Sequence, residues 1–407
     1  MNTRSPRVTA SARPRLLVPF ALGHFANDLA PVGMYLIIPA FGVAAGLSPV
    51  EIGLLFTIHS FGSAMAYLPA GIVTDHVTNR GLLLLATFFW VGLGYIGASF
   101  ASDYWTFALL ITLAGAGDAA WHPMATGVLA SVDRDRRAYA FGVHALGGHL
   151  AEVISLVAVG HLLSLGDWRF ALQIIALPAL IMGCMFFFVV RRVPLVKAAR
   201  PTAADFTDIW RTWATRPGFR IVSLFASYNI ALFAILTMTP VFLQRDHGFD
   251  WQETSIALAL MMVLGALAQP VMGKLSDGLG RWPLIICGNG IAALGAGAAW
   301  LSTSLVWILV SLAVAMTVLV AIRAVILAAA VDHAGKREGT SLGMAFAFMD
   351  GIGALGAVLA GWVGQNDLSY AFLLAGLFST MAVGQAVLHL RSRTDATAQP
   401  ETGKSIG

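Results

Sequence analysis

Two pairs of acid–base side chains sit at helical spacing inside apolar sequence: His24 with Asp28, and Asp118 with His122. Residues four apart share a helix face, so each pair sets an imidazole beside a carboxylate. Such neighbours can exchange a proton or hold one charge against another. Farther on, His149 and Glu152 share a face next to the Gly147-Gly148 pair, with His144 nearby. Arg323 and Asp350 follow, with Tyr228, Asn229 and Gln269 as milder polar groups. Arg323 keeps its charge at any working pH and needs an anion. Asp118, Glu152 and Asp350 are the acids available for that role, and a bound solute is the alternative.

The surroundings give these residues their weight. The chain has 407 residues, 58% hydrophobic and 11% charged, with a mean hydropathy of +0.77. Soluble domains carry about 25% charged residues, so this composition indicates a membrane protein. Ionisable groups at bilayer depth are costly and usually face a wet cavity or each other. A hydrogen-bonded pair that only stiffens a helix bundle has the same spacing, so the grouping counts for more than any one pair. The 42 glycines suit close helix approach in lipid. Cys184 and Cys287 stand alone in apolar runs and read as buried small hydrophobes, not as a disulfide or metal framework.

Apolar windows long enough to span a bilayer fall at 16–42, 50–73, 81–101, 104–131, 138–164 and 168–191, and again at 219–244, 252–276, 283–302, 305–331, 339–364 and 369–391. The even count puts both termini on one side. Of 25 Lys and Arg, only Arg169 and Arg245 fall in the opposite loops, and Arg323 lies within a helix. Positive charge stays inside, so both termini are expected in the cytoplasm of a multi-pass protein of the cell inner membrane. Confinement of the basic residues to one set of loops also argues against a nucleic-acid partner, despite a pI of 9.3. The apolar run after Arg4, Arg7, Arg13 and Arg15 is too long for a signal peptide and reads as the first span.

The expected organisation is an N-terminal six-helix bundle over 1–193, a cytoplasmic linker over 194–218, a second bundle over 219–393 and a disordered tail over 394–407. The linker carries Trp210 and Trp213 and suggests a short interfacial helix. The halves repeat. Gly71, Asp75 and Arg80 close span two as Gly273, Asp277 and Arg281 close span eight. Pro39 answers Pro240, Pro69 answers Pro270, and Ser131-Val132-Asp133 matches Ala330-Val331-Asp332. Parallel six-helix repeats belong to transporters with a site between the halves near the midplane. Gly71 and Gly273 would let helices approach closely, and each Asp would pair with an Arg or a helix N-terminus in a lock that opens as the halves rock.

Through these loops the chain resembles the major facilitator superfamily over nearly its whole length. That resemblance implies a fold of twelve transmembrane helices in two pseudo-symmetric six-helix bundles, with spans 1, 4, 7 and 10 lining a cavity and 3, 6, 9 and 12 outside. Acids, His or Arg at depth occur here in spans 1, 2 (His59), 4, 5, 10 and 11, and the outer spans carry none before His389. Within the superfamily the chain is similar to the fosmidomycin-resistance exporters in His24-Phe-Ala-Asn27-Asp28, in Gly115-Ala-Gly117 through Trp121-His122-Pro123, and in Gly147-Gly148. It departs from them at Met124, His149, Asp118 and Glu152. The resemblance implies proton-coupled efflux, without the family's phosphonate antibiotic as solute.

The sequence thus indicates an all-α membrane protein that moves a small molecule or ion by alternating access in exchange for protons, as a monomer without a cofactor. Asp28 with His24 is the expected proton site. Asn27, Asp118, Trp121, His122, His149, Glu152, Tyr228, Asn229, Gln269, Arg323 and Asp350 are the expected walls of the solute site. Proton-driven uptake of a small organic anion uses the same parts. So does passage of a divalent metal or metal chelate through His24, Asp28, Asp118, His122, His149 and Glu152. The chain has no His-Glu-x-x-His and no Walker loop, so neither an intramembrane enzyme nor an ATP-driven pump is expected.

Overall fold

In lipid a backbone must satisfy its own hydrogen bonds, which turns long apolar runs into helices. The computed structural model describes residues 14–132, 137–195, 213–334 and 346–398, with Arg211 and Met344. Its long helices are α1 (Pro14–Ala44), α2 (Pro49–His76), α3 (Arg80–Ala98), α4 (Tyr104–Val132), α5 (Arg137–Leu165) and α6 (Trp168–Phe186) in the first half. The second half has α7 (Arg216–His247), α8 (Trp251–Leu279), α9 (Arg281–Leu301), α10 (Leu305–Ala334), α11 (Leu355–Val363, after a π-helical turn at Ala347–Ile352) and α12 (Tyr370–Ala398). No strand occurs among the described residues.

Ten of these helices are long and apolar enough to cross a membrane. The exceptions are α4, whose middle carries Asp118, His122 and Pro123, and α11, which the π-helical turn interrupts. Both sit where the sequence places its polar residues. Two entries into the bilayer are fixed alike: a capping box of Ser48 and Glu51 starts α2, and one of Asp250 and Glu253 starts α8.

The halves pack by the same plan. Helix α1 lies on α5 and α6, as α7 lies on α11 and α12, while α2 lies on α4 and α8 on α10. The most apolar stretches of α1 and α7 are 72% and 83% buried, the highest among the spans, so these two form the centre. Across the halves, α2 meets α11 and α5 meets α8. Those contacts tighten toward the loops that follow α1, α5, α7 and α11. A Cβ on Gly53 would fall 2.3 Å from the Ala357 carbonyl oxygen, and one on Gly160 would fall 2.0 Å from Ser255 Oγ. Thr57 donates to the Ala354 carbonyl at 2.7 Å. The two halves are therefore sealed at the end away from the chain termini.

Several expectations change. Cys184 and Cys287 are exposed on the outer surface; in a bilayer the lipid-facing side is as apolar as the core, so apolar neighbours do not imply burial. Trp213 is buried against His333 and Phe348, at 5.4 and 5.6 Å between ring centroids, and so belongs to the second bundle's packing. Helix α12 continues to Ala398, into the tail expected to be disordered from 394. Residues 1–13, the Asp133–Arg136 turn, 196–210 with Trp210, and 399–407 lie outside the described residues.

A polar centre between the two halves

Helix α1 sets His24, Asn27 and Asp28 toward α4 and α5. His24 donates through Nδ1 to the His144 carbonyl at 2.8 Å, which leaves its Nε2 3.2 Å from Asp28 Oδ2. From α4, His122 Nε2 lies 3.9 Å from Asp28 Oδ1 and 3.7 Å from Asp118 Oδ1. Asn27 joins the two acids: its Nδ2 donates to Asp118 at 2.5 Å and to Asp28 at 3.4 Å. The pairs at spacing four thus merge into one cluster of two acids and two imidazoles.

The fifth helix closes that cluster from behind. His144 donates through Nδ1 to the Phe20 carbonyl at 3.2 Å, and its ring stacks on His24 at 4.2 Å. Each of α1 and α5 therefore lends a carbonyl to the other's histidine. Such an approach is possible because of the glycine pair. A Cβ on Gly147 would meet the Ala21 carbonyl oxygen at 2.0 Å, and one on Gly148 would meet the His24 ring at 2.7 Å.

The second half supplies a separate charge pair. Arg323 on α10 lies 3.5 Å from Asp350 Oδ1 in the π-helical turn. Its side chain is 34% exposed. The wider π turn projects Asp350 and disturbs the local ladder, and Asn229 Nδ2 answers by donating to the Met349 carbonyl at 2.5 Å. Tyr67 on α2 donates to Asp350 Oδ2 at 3.1 Å, while its ring lies 6.3 Å from that of His122. That tyrosine links the two clusters. His149 and Glu152 pair at 3.3 Å on α5 and are 38% and 26% exposed.

Not every expected wall residue lies on the wall. Trp121 is buried among Phe20, Phe88 and Phe186. Tyr228 is buried and donates to the Leu319 carbonyl at 2.6 Å, and Asn229 is committed to the π turn. Asn27 is buried behind the acids it joins. Gln269 is half-buried on α8 and forms no hydrogen bond among the described residues. His59, also polar at depth, bonds the Tyr95 hydroxyl at 2.9 Å inside the bundle. Spacing along one helix cannot tell an inward face toward a cavity from an inward face toward a neighbour.

The loop motifs change partners as well. Arg281 pairs with Asp332 at the end of α10, including an Nη2–Oδ1 contact of 3.2 Å, while Asp277 is exposed and makes no ion pair among the described residues. A Cβ on Gly273 would meet nothing within 4 Å, and one on Gly71 only Pro123 at 3.9 Å. Neither glycine is there for close approach. The glycine that geometry demands is Gly280, whose φ of +87° makes the turn from α8 into α9. Arg80 donates to the Thr74 carbonyl at 2.9 Å, and the side chain of Asp75 lies outside what the structure describes.

Sequence reasoning missed Tyr67 and the role of Asp332. Tyr67 offered a faint signal, a lone phenol inside the second span. Asp332 stood in plain view as the repeat of Asp133 before a basic turn.

Comparisons with known proteins agree with this architecture. The profile of the Major Facilitator Superfamily matches residues 20–353 and 252–405. A relative in Cupriavidus necator, named "Probable sulfoacetate transporter", is 22% identical over 396 residues, covering 89% of this chain and 90% of that one. The hexuronate transporter of Bacillus subtilis is 25% identical over 242 residues, covering 57% and 56%. The crystal structure of a bacterial homolog of the human lysosomal transporter Spinster, inward-facing and occupied, superposes with a TM-score of 0.79 at 17% identity, covering 97% of this chain and all of that one.

Proposed function

The chain belongs to the Major Facilitator Superfamily of membrane transporters, and from that premise we propose that it carries a small organic anion together with a proton. The observation that carries the proposal is Arg323, a permanent cation with a third of its side chain exposed, answered only loosely by Asp350 at 3.5 Å. A good Arg–carboxylate pair is bidentate at about 2.7–2.9 Å. The guanidinium therefore keeps donors for a carboxylate or sulfonate on a solute. Sulfoacetate and hexuronate, named for two relatives, are both organic acids.

Coupling follows from charge. Carrying one negative charge inward against the membrane potential costs about 2.3 kcal/mol per 100 mV, and a proton travelling with it removes that cost. The cluster of Asp28, His24, His122 and Asp118 is the proton site. Tyr67 reports on both places, since it holds Asp350 and flanks His122. With the solute on Arg323, Asp350 loses its cation, Tyr67 shifts, and the halves are released to rock.

The organic-acid reading takes the place of the drug implied by the narrower resemblance to the fosmidomycin-resistance proteins; the direction is a separate matter, since relatives in Pasteurella multocida and Haemophilus influenzae are named sugar efflux transporters. The remaining organisation is carried forward as proposed: a monomer with the loops after α1, α5, α7 and α11 outside and both termini in the cytoplasm. Under that topology the sealed end faces outward.

The test is thermal stabilisation of the purified protein by matched solutes. Hexuronates and short sulfonates are expected to raise the melting temperature, and the corresponding neutral sugars are not. Equal stabilisation by acid and neutral forms, or stabilisation that survives in Arg323→Gln, would sink the anion assignment.

A further inference from the structure

The cluster between α1 and α4 has a second use that does not depend on which solute is carried. We propose that His24, Asp28 and His122 form a binding site for a divalent transition-metal ion. One ligand atom from each lies within 4.8 Å of the others. Tetrahedral zinc, with bonds of about 2.0–2.1 Å to nitrogen and oxygen, sets its ligand atoms about 3.3 Å apart. The His24–Asp28 separation is 3.2 Å through Oδ2 and the His122–Asp28 separation is 3.9 Å through Oδ1, so the three side chains must draw in around the ion from spacings of at most 4.8 Å. Asp118, at 3.7 Å from His122 Nε2, borders this group without belonging to it.

The supporting contacts are those a metal-binding histidine uses. Ligand imidazoles usually donate their other ring nitrogen to a carbonyl or carboxylate, which fixes the tautomer and the ring. His24 does this: Nδ1 is bonded to the His144 carbonyl, and Nε2 is turned into the cluster. Asn27 holds Asp118 in the same way. Imidazole with carboxylate suits zinc, nickel or copper and not calcium or magnesium, which take oxygen ligands. The group is not fully sealed, since the side chains of His24, Asp28 and His122 are 14%, 15% and 24% exposed.

Location gives the site its consequence. Both helices belong to the same half, so the ligands keep their spacing while the halves rock, and the site persists through the transport cycle. An ion there occupies Asp28, the proposed proton site, and pins α1 to α4. Zinc is thus expected to act as an inhibitor of coupling.

The experiment uses the full chain in detergent, stripped by a chelator and titrated with zinc by calorimetry and with cobalt by visible absorption. A single ion per chain is expected. His122→Ala and Asp28→Asn should each weaken binding at least about tenfold to a hundredfold, while His161→Ala, an exposed histidine at the far end of α5, should not. X-ray absorption of the zinc-loaded unmodified chain should show imidazole nitrogen at about 2.0–2.1 Å, and this readout does not rely on any variant folding. Unchanged affinity in both variants, or a zinc shell without imidazole, overturns the site. Neither measurement uses an anion or a gradient, so its failure is separable from failure of the transport proposal.

Discussion

At the scale of single residues, the charges at depth fall into two groups with different partners. Arg323 has Asp350 at 3.5 Å, and Asp28 has two imidazoles. Removing one member of a fully desolvated pair leaves its partner uncompensated, which costs about 3–5 kcal/mol; Arg323 is a third exposed, so solvent reduces that cost here. Asp350→Asn should therefore lower thermal stability, and adding Arg323→Gln should recover it without recovering transport. A melting curve of the double variant no better than that of Asp350→Asn would mean that Arg323 finds its counter-charge elsewhere. Arg323→Gln alone should weaken anion binding by about 2–5 kcal/mol, read by the ligand-induced shift. Asp28→Asn mimics a fixed protonated state. Its expected phenotype is retained solute binding with loss of gradient-driven accumulation in proteoliposomes, and wild-type proton flux on solute addition would remove Asp28 from coupling.

The same scale gives Tyr67 a sharper test. Its hydroxyl donates to Asp350 from the other half, so Tyr67→Phe breaks one hydrogen bond between the bundles while keeping the ring that stacks on Phe346 at 5.7 Å. The expected result is normal folding and solute binding with slower or uncoupled exchange. If transport and its proton dependence are both unchanged, Tyr67 is packing and nothing more.

At the scale of elements, the pairing of α1 with α5 is the tightest device near the site. It rests on reciprocal histidine–carbonyl bonds and on two glycines, where a methyl group at Gly147 would collide with backbone. Backbone cannot rotate away as a side chain can, so Gly147→Ala must push the helices apart. A cost of about 1–3 kcal/mol is expected, with loss of the His24–His144 geometry and weaker proton coupling. Full stability with unaltered transport in Gly147→Ala would show that the helices part freely there. The π-helical turn before α11 works differently. It projects Asp350 toward Arg323 and Tyr67, and Asn229 answers the Met349 carbonyl in return. That explains why Asn229, expected on the solute wall, is spent on backbone.

At the scale of the whole molecule, the seal between halves is made of close contacts of Gly53 with the Ala357 backbone and of Gly160 with the Ser255 side chain, on the side away from the termini. Access alternates only if this seal opens. Gly53→Leu cannot be accommodated against Ala357 and should hold the protein open at that end, measured as faster labelling of cavity cysteines by a reagent applied from outside. Slower labelling would reverse the assignment of the sealed side. Orientation has its own check in a background without Cys184 and Cys287: Ser102→Cys should react with an impermeant reagent in intact cells, and Thr78→Cys should not. The opposite pattern would turn the topology over.

Fold and spans were legible in the sequence because a bilayer enforces simple rules. Long apolar runs must be helices, basic residues stay on one side, and an internal repeat fixes two matching bundles. The acid–base residues were legible too, because charge at depth is too costly to be incidental. Helical spacing alone joined His24 to Asp28 and Asp118 to His122. Only tertiary structure fused these pairs through Asn27, chose Asp350 from three candidate acids for Arg323, and turned Trp121 and Tyr228 away from the cavity. It also moved the loop ion pair from Asp277 to Asp332 and placed the cysteines on the outer surface. The physical reason is the same in each case. Periodicity says which face of a helix turns inward, but what that face meets depends on a neighbour distant in sequence, whose position is decided by packing.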